Sequence, residues 1–515
     1  MTAGTDDRDD VVVATRPKPR TPRPYEFPDV ERASLDNGLS ILVVDMPGRP
    51  LVSAAVVVPV GAADEPAAEA GSAVLSARAM TEGTERYDAI ALTEASERLG
   101  ASLHAESGWD ATSVGVDVPA ARLAPALELL AEVLLRPTFP EPDVDRLRDE
   151  RLNDLLQAQA DPRRRADETF IATIYASSSP YHRPSAGTRE TVIGIDAEVA
   201  RRAYERILDP GRATLVVGGD LRGQDVIAMA RSLLGDWRRG PAAVVPGAPD
   251  DSTAGSRRLV RVVHRPGSVQ TEIRIGHPGL PRRIADYHAV SVMSAILGGL
   301  FNSRLNMQLR EAKGYTYGAG AGFDMRRGAG PFTARAAVNT EVTVPAIIDT
   351  LAELERMRDA PVEPSELAAA RDFLVGVFPL RFETAGAVVG SVAGLSVHGL
   401  PLEELTDYRS HIEAVDIEAV ATAARSHLLV DEAAIVLVGD VDAFGADLEA
   451  AGLGRLVIDR DPTPGPTQLA GESEVAAVAG PADEGEEAGP TAGAEEPPLP
   501  GPGDEPTGDE VVSER

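Results

Sequence analysis

The chain has 515 residues, 50 Lys and Arg against 81 Asp and Glu, and a net charge of −31. That balance argues against nucleic acid as a partner, since phosphate binding needs a basic footprint, and the absence of Cys excludes disulfides and thiolate chemistry. No apolar run approaches the roughly 18 residues of a membrane span, while a hydrophobic share of 43% supports a large core and the length suits two to four domains.

Residues 1–30 mix charge, Pro and Thr without a period and are expected to be disordered. The first residues are acidic and have no apolar h-region, so they do not read as a secretory signal, and a cytoplasmic location is expected. Asp36-Asn37-Gly38 marks a turn, followed by strands at Ile41–Val44 and Val52–Val60. Helices are predicted over Glu69–Met80 and over Ile90–Leu99, the latter ended by Gly100. Strands follow at Ser102–Ala105 and Thr112–Val118, where Val114, Val116 and Val118 alternate with small or polar residues. Leu123, Ala126, Leu127, Leu130 and Leu134 give Pro119–Leu135 one apolar helical face, and Glu141–Gln159 is a second long helix. Tyr181–Thr188 reads as a loop, Ala197–Ile207 as a helix, Thr214–Gly219 as a strand and Gln224–Trp237 as a helix.

Residues 240–256 have linker composition. Beyond them the pattern repeats. Leu215-Val-Val-Gly-Gly-Asp-Leu is echoed by Val436-Leu-Val-Gly-Asp-Val, placing Asp440 opposite Asp220. Glu141-Pro142 is echoed by Glu363-Pro364, and Pro119 by Pro345. The echoes predict two similar α+β domains, residues 31–239 and 257–460. Residues 461–515 hold 14 acids and one Arg, with too little apolar content to offset their ordering entropy, and are expected to be a disordered acidic tail.

One stretch points to chemistry that has been lost. Gly71–Thr84, GSAVLSARAMTEGT, resembles the active-site helix of the pitrilysin/insulinase-type metallopeptidases, the inverted zincins that include mitochondrial-processing-peptidase-like chains. Those proteins carry H-x-x-E-H here, two His for zinc and a Glu to polarise the attacking water. In this chain the His positions hold Val74 and Arg78, and the Glu position holds Ala77. The family's third ligand, a Glu about 76 residues after the second His, falls on Asp154. Three altered primary positions imply that this chain binds no metal there. The resemblance runs from about residue 33 to 456. It includes Ser34-Leu-Asp-Asn-Gly-Leu, Val60-Gly61 through Asp64-Glu65-Pro66, the Tyr181–Thr188 loop and the repeat itself. It implies domains of a mostly antiparallel sheet flanked by helices, closing like a clamshell around a peptide-holding chamber.

The second half keeps a different element. Ile296–Tyr317 matches a family segment in which an Arg and a Tyr, seven apart, reach toward the scissile peptide; here they are Arg310 and Tyr317. Both are donors suited to a substrate carbonyl and its developing oxyanion. The alternative is a surface Arg and a core Tyr. Gly318, Gly320 and Gly322 open a glycine-rich run to Gly330 that resembles a substrate-holding loop; a tight hairpin is the alternative. His104, His182, His264, His277, His288, His398, His411 and His427 show no ligand spacing, and no G-x-S-x-G elbow is present. The expected function is the zinc-free subunit of a heterodimeric metallopeptidase, lending Arg310 and Tyr317 to a homologous partner that keeps H-x-x-E-H, holds the zinc and cleaves peptides. The alternatives are an inert structural or peptide-holding homologue and a hydrolase with a relocated metal site. Neither nucleic acid nor membrane is expected as a partner.

Overall fold

The computed structural model of the protein describes residues 24–460, apart from residues 49, 246, 248, 256 and 257. The disorder expected for residues 1–23 and for the tail 461–515 lies outside the described residues.

The valine-rich runs build two six-stranded sheets. The first contains β1 (Glu31–Ser34), β2 (Ser40–Asp45), β3 (Leu51–Val58), β4 (Ser102–Ser107), β5 (Thr112–Pro119) and β6 (Thr214–Gly219), in the order β1-β2-β6-β3-β5-β4. Only β2 and β6 run parallel. The second contains β7 (Leu259–His264), β8 (Gln270–Pro278), β9 (Ala319–Phe323), β10 (Pro331–Asn339), β11 (Ala434–Gly439) and β12 (Arg455–Asp459), in the order β12-β7-β11-β8-β10-β9. There β7 is parallel to both β11 and β12. Five strands of each sheet follow the same path, β2-β6-β3-β5-β4 against β7-β11-β8-β10-β9, so the repeat read from Asp220 and Asp440 is a repeat of topology. Register is fixed by burial: Val114, Val116 and Val118 of β5 all face the core, and a one-residue slip would turn all three outward.

Helices cover one face of each sheet. In the first half these include α1 (Ser72–Ala79), α2 (Ala89–Leu99), α3 (Leu123–Leu135) and α4 (Glu141–Ala160). In α3, Leu123, Leu127, Leu130 and Leu134 are buried, as the spacing predicts; each such side chain contributes about 1.5–3 kcal/mol over its exposed state.

The opposite face of each sheet is closed by a helix from the other half. Asp161 accepts the Arg163 N–H at 2.8 Å and starts α5 (Pro162–Ile174), which the polar sequence PRRRADETF does not announce. Phe170 and Ile174 of α5 pack with Ala434 and Val436 of β11, and Ala166 packs with Val263 and Val438. Arg274 of β8, only 2% exposed, reaches Asp167 of α5 and pairs with Glu272 at 2.9 Å. In return, the Ala385–His398 helix lies on β3 and β6, with Val388, Val389 and Val392 buried in one cluster with Val44 and Val216.

A second lock is the loop between β9 and β10. Arg327 pairs with Asp64 at 2.8 Å and donates its backbone N–H to Asp110 at 2.7 Å. Arg326 lies over the rings of Trp109 and Tyr181 at 4.6 and 4.8 Å. Tyr175 donates to the Ala329 carbonyl at 2.8 Å, and Tyr181 accepts the Gly328 N–H at 3.1 Å.

One expectation about chain order needs correction. Residues 24–30 are not loose: Phe27 is buried against Phe382, edge to face, with ring centroids 5.0 Å apart, and Tyr25 stacks on the same ring. Aromatic burial outweighs a local sequence that offers no period. Within the stretch of linker composition, Ser252 accepts the Ala176 N–H and Ala254 donates its N–H to the Ile174 carbonyl, both at 2.9 Å. Among the described residues no single helix is long and apolar enough to cross a membrane.

Candidate functional site

α1 is held in place as though it still had a task. Gly71 starts it at φ 97°, and Gly187 faces it at φ 76°. A Cβ on Gly187 would sit 2.3 Å from the Ala70 carbonyl oxygen, and one on Gly71 2.7 Å from that of Ala186, so only glycine allows the two backbones to meet. The Glu65 carboxylate, 1% exposed, accepts the Gly71 and Ala73 N–H groups at 3.0 and 2.6 Å and pairs with Arg183 at 3.0 Å. It thus satisfies two donors at the helix N-terminus that would otherwise be orphaned. Burial pushes this carboxyl up to about 7, against the pull of the Ala73 amide, Arg183 and the Gly71 amide. Ser76 ties the middle of the helix to the Ala200 carbonyl at 2.8 Å.

The ligand positions themselves carry no metal chemistry. Val74 and Ala77 have no donor atom, and Ala77 is buried. Arg78 pairs with Glu150 of α4 at 2.9 Å, and Arg146 extends the chain to Glu150 at 2.6 Å and Glu82 at 2.7 Å. Asp154, one turn beyond Glu150, is engaged by Arg164 at 2.7 Å and by Arg151. The Arg164 hydrogen bond leads in holding its carboxyl below the ordinary range. The donor set does not fit zinc: two positions are hydrocarbon, one is a fixed cation, and the remaining carboxylate is bound to two guanidinium groups. A run of charges from Arg78 through Glu150 and Arg146 joins α1 to α4.

The second half presents the opposite picture. Arg310 lies in a wide π-helical turn, Asn306–Ala312, with its guanidinium 4.5 Å from the Phe301 ring. Phe301 is exposed, and Tyr317 is 92% exposed, so it is not the core aromatic of the alternative reading. It precedes β9 rather than lying in it. Gly318, Gly320 and Gly322 fall at alternate positions running into β9, so they share one face of the strand and leave it without side chains. A Cβ on Gly322 would meet open space. The glycine run is therefore a β9–β10 hairpin and not a free loop. Its outer edge is covered: a Cβ on Gly298 would lie 2.1 Å from the Ala321 nitrogen, and Asn306 accepts the Ala319 N–H at 2.9 Å.

The remaining histidines divide. His182 contacts the Tyr175 carbonyl at 3.0 Å. His277 accepts the Leu429 N–H at 3.1 Å, so its other nitrogen carries the proton toward Pro278 O at 2.8 Å. Both rings are engaged with backbone groups. Sequence reasoning passed over Glu65 and Arg183 as site residues, although each lies inside a quoted motif, and over Phe301, whose contact with Arg310 depends on the π-helical turn.

Two mixed sheets joined in pseudo-symmetry, with a capped helix beside the edge strand of the first, define a peptidase-like chain whose metal-binding positions have been replaced. Comparison with known proteins gives the family. The model described as Insulinase (Peptidase family M16) matches residues 40–188, and that of the Peptidase M16 inactive domain matches residues 194–374. The chain belongs to the M16 insulinase family. An uncharacterized zinc protease of Mycobacterium tuberculosis is 25% identical over 399 residues, 77% of this chain and 90% of the relative. A Helicobacter pylori protein named as a non-peptidase homolog is 21% identical over 376 residues, 72% of this chain and 84% of that one. The crystal structure of a peptidase M16 inactive domain from Pseudomonas fluorescens superposes with a TM-score of 0.74 at 25% identity, covering 80% of this chain and 98% of that one.

Proposed function

We propose that this chain is the zinc-free subunit of a heterodimeric metallopeptidase, contributing Arg310 and Tyr317 to a homologous partner that carries H-x-x-E-H and the zinc. The observation that carries this reading is the exposure of Tyr317 and Phe301 beside Arg310, next to a strand face cleared by Gly318, Gly320 and Gly322. Exposed aromatics at a π-helical turn, a geometry frequent at functional sites, are costly unless something binds them. A zinc held by the partner's H-x-x-E-H would supply the activated water. Arg310 and Tyr317 donate hydrogen bonds to the substrate carbonyl and strengthen them as it becomes an oxyanion. The bare strand face lets an extended peptide backbone lie flat against Gly318, Gly320 and Gly322.

A second reading is an inert structural or peptide-holding homologue. It is favoured by the name of the Helicobacter pylori relative and by the Arg310 contacts already made, with Phe301 and with Glu311 at 3.5 Å. Mixing this chain with an H-x-x-E-H homologue and measuring peptide hydrolysis separates the two. The subunit reading expects a gain over the partner alone, and a loss of about 10²–10³ in that rate for Arg310→Ala. Full activity with both Arg310→Ala and Tyr317→Phe would establish the inert reading.

A further inference from the structure

We propose that His264, Asp440 and Asp442 form a divalent-cation site at the end of the second sheet, independent of α1. Topology brings them together. His264 ends β7 and lies in parallel register with Gly439, the last residue of β11, so Asp440 follows directly beside it. Asp440 caps the Val441–Ala451 helix, which places Asp442 in its first turn. The His264 side chain is 10% exposed, and its Nδ1 is buried without a hydrogen-bond partner. Nδ1 lies 3.9 Å from Asp440 Oδ1, and Nε2 lies 3.5 Å from Asp442 Oδ2. Both gaps are too long for good hydrogen bonds.

One ligand atom from each residue can be chosen so that all three lie within 4.8 Å of one another. Ligands on a tetrahedral zinc stand about 3.4 Å apart, from bonds of about 2.0–2.2 Å; one imidazole gives a single ion only one nitrogen, so closure turns the His264 ring as well as drawing in the two carboxylates. The carboxylates are already oriented. Gly267 donates its N–H to Asp440 Oδ2 at 2.9 Å, and Arg460 donates to Asp442 Oδ1 at 2.6 Å; Asp442 Oδ2 faces His264, and so does Asp440 Oδ1, which also accepts the Asp442 N–H at 3.2 Å. Such outer contacts tune and aim metal ligands. One imidazole and two carboxylates suit zinc or manganese. The Arg460 charge and the helix N-terminus oppose a cation and weaken its binding. The first half supplies a natural contrast: at the matching positions Asp45 replaces His264, and Arg222 replaces Asp442.

The test is zinc titration of the untagged full-length protein after chelator treatment, followed by calorimetry and by competition with a chromophoric chelator. One saturable equivalent is expected, weakened at least about tenfold by His264→Gln and by Asp442→Asn, and unchanged by Arg78→Ala. Asp442 is well exposed, so its variant reports binding without threatening the fold. No saturable binding tighter than about 100 µM, or binding that both variants leave intact, overturns the site.

Discussion

The helix α1 and the Arg310–Tyr317 element sit at equivalent places, each beside the edge strand of its own sheet, and treat their polar groups in opposite ways. Around α1 the polar groups are spent internally: Glu65 on two amides and Arg183, Ser76 on Ala200, Arg78 on Glu150, Asp154 on two arginines. Around Arg310 the chain leaves Phe301 and Tyr317 in water. The polar side chains around α1 serve as framework, and the aromatics beside Arg310 are presented outward. The distinction is physical and can be attacked from either side.

The largest effect should come from the framework. Glu65→Ala removes a buried carboxylate, leaves Arg183 unpaired and uncaps α1, a loss of about 3–5 kcal/mol; urea unfolding of the variant against the native chain measures it. Arg310→Ala, by contrast, should leave the urea midpoint unchanged within about 0.5 kcal/mol while lowering the rate of the mixed complex. If both variants destabilise alike, the contrast between framework and presented element fails.

Next comes acid. His288 and His398 are held down to about 4, chiefly by burial, with His411, Arg282 and Arg327 adding to the effect and Glu404 opposing it at His288. Their folded values lie below the unfolded value near 6.5, so their stabilisation is present above pH 6.5 and is lost as pH falls toward 4. Allowing for their partial exposure, the loss is on the order of 1–2 kcal/mol each. A series of urea midpoints between these pH values should slope downward with acid, and His288→Phe should flatten it. The smallest effect belongs to Arg78→Ala. Its pair with Glu150 is half-exposed, so its removal should cost less than about 1 kcal/mol; a greater cost would mean that the charge run truly replaces the ion as a staple.

The strands β2 to β6, α2 to Gly100, α3, α4 and the twofold repeat were legible because their periods report burial within one half. α5 was not, because its apolar residues Ala166, Phe170 and Ile174 answer to Val263, Ala434, Val436 and Val438, which come more than 80 residues later. Buried Arg274 was equally silent, since its partner Asp167 reads as one more surface acid. At the candidate site, counting located Val74, Ala77, Arg78 and Asp154, but sequence spacing carries no information on which cation a carboxylate meets. Arg164 at Asp154 became visible only when α4 and α5 were placed side by side, whereas Arg151 lies one turn before Asp154 on α4 itself.

The reciprocal lending of α5 and of the Ala385–His398 helix has an outcome for any attempt to divide the polypeptide. Either fragment made by itself would show water an oily wall built for a guest it does not encode. A protease nick between residues 240 and 256 of the intact protein should therefore release nothing, and the two pieces should travel together until denaturant parts them.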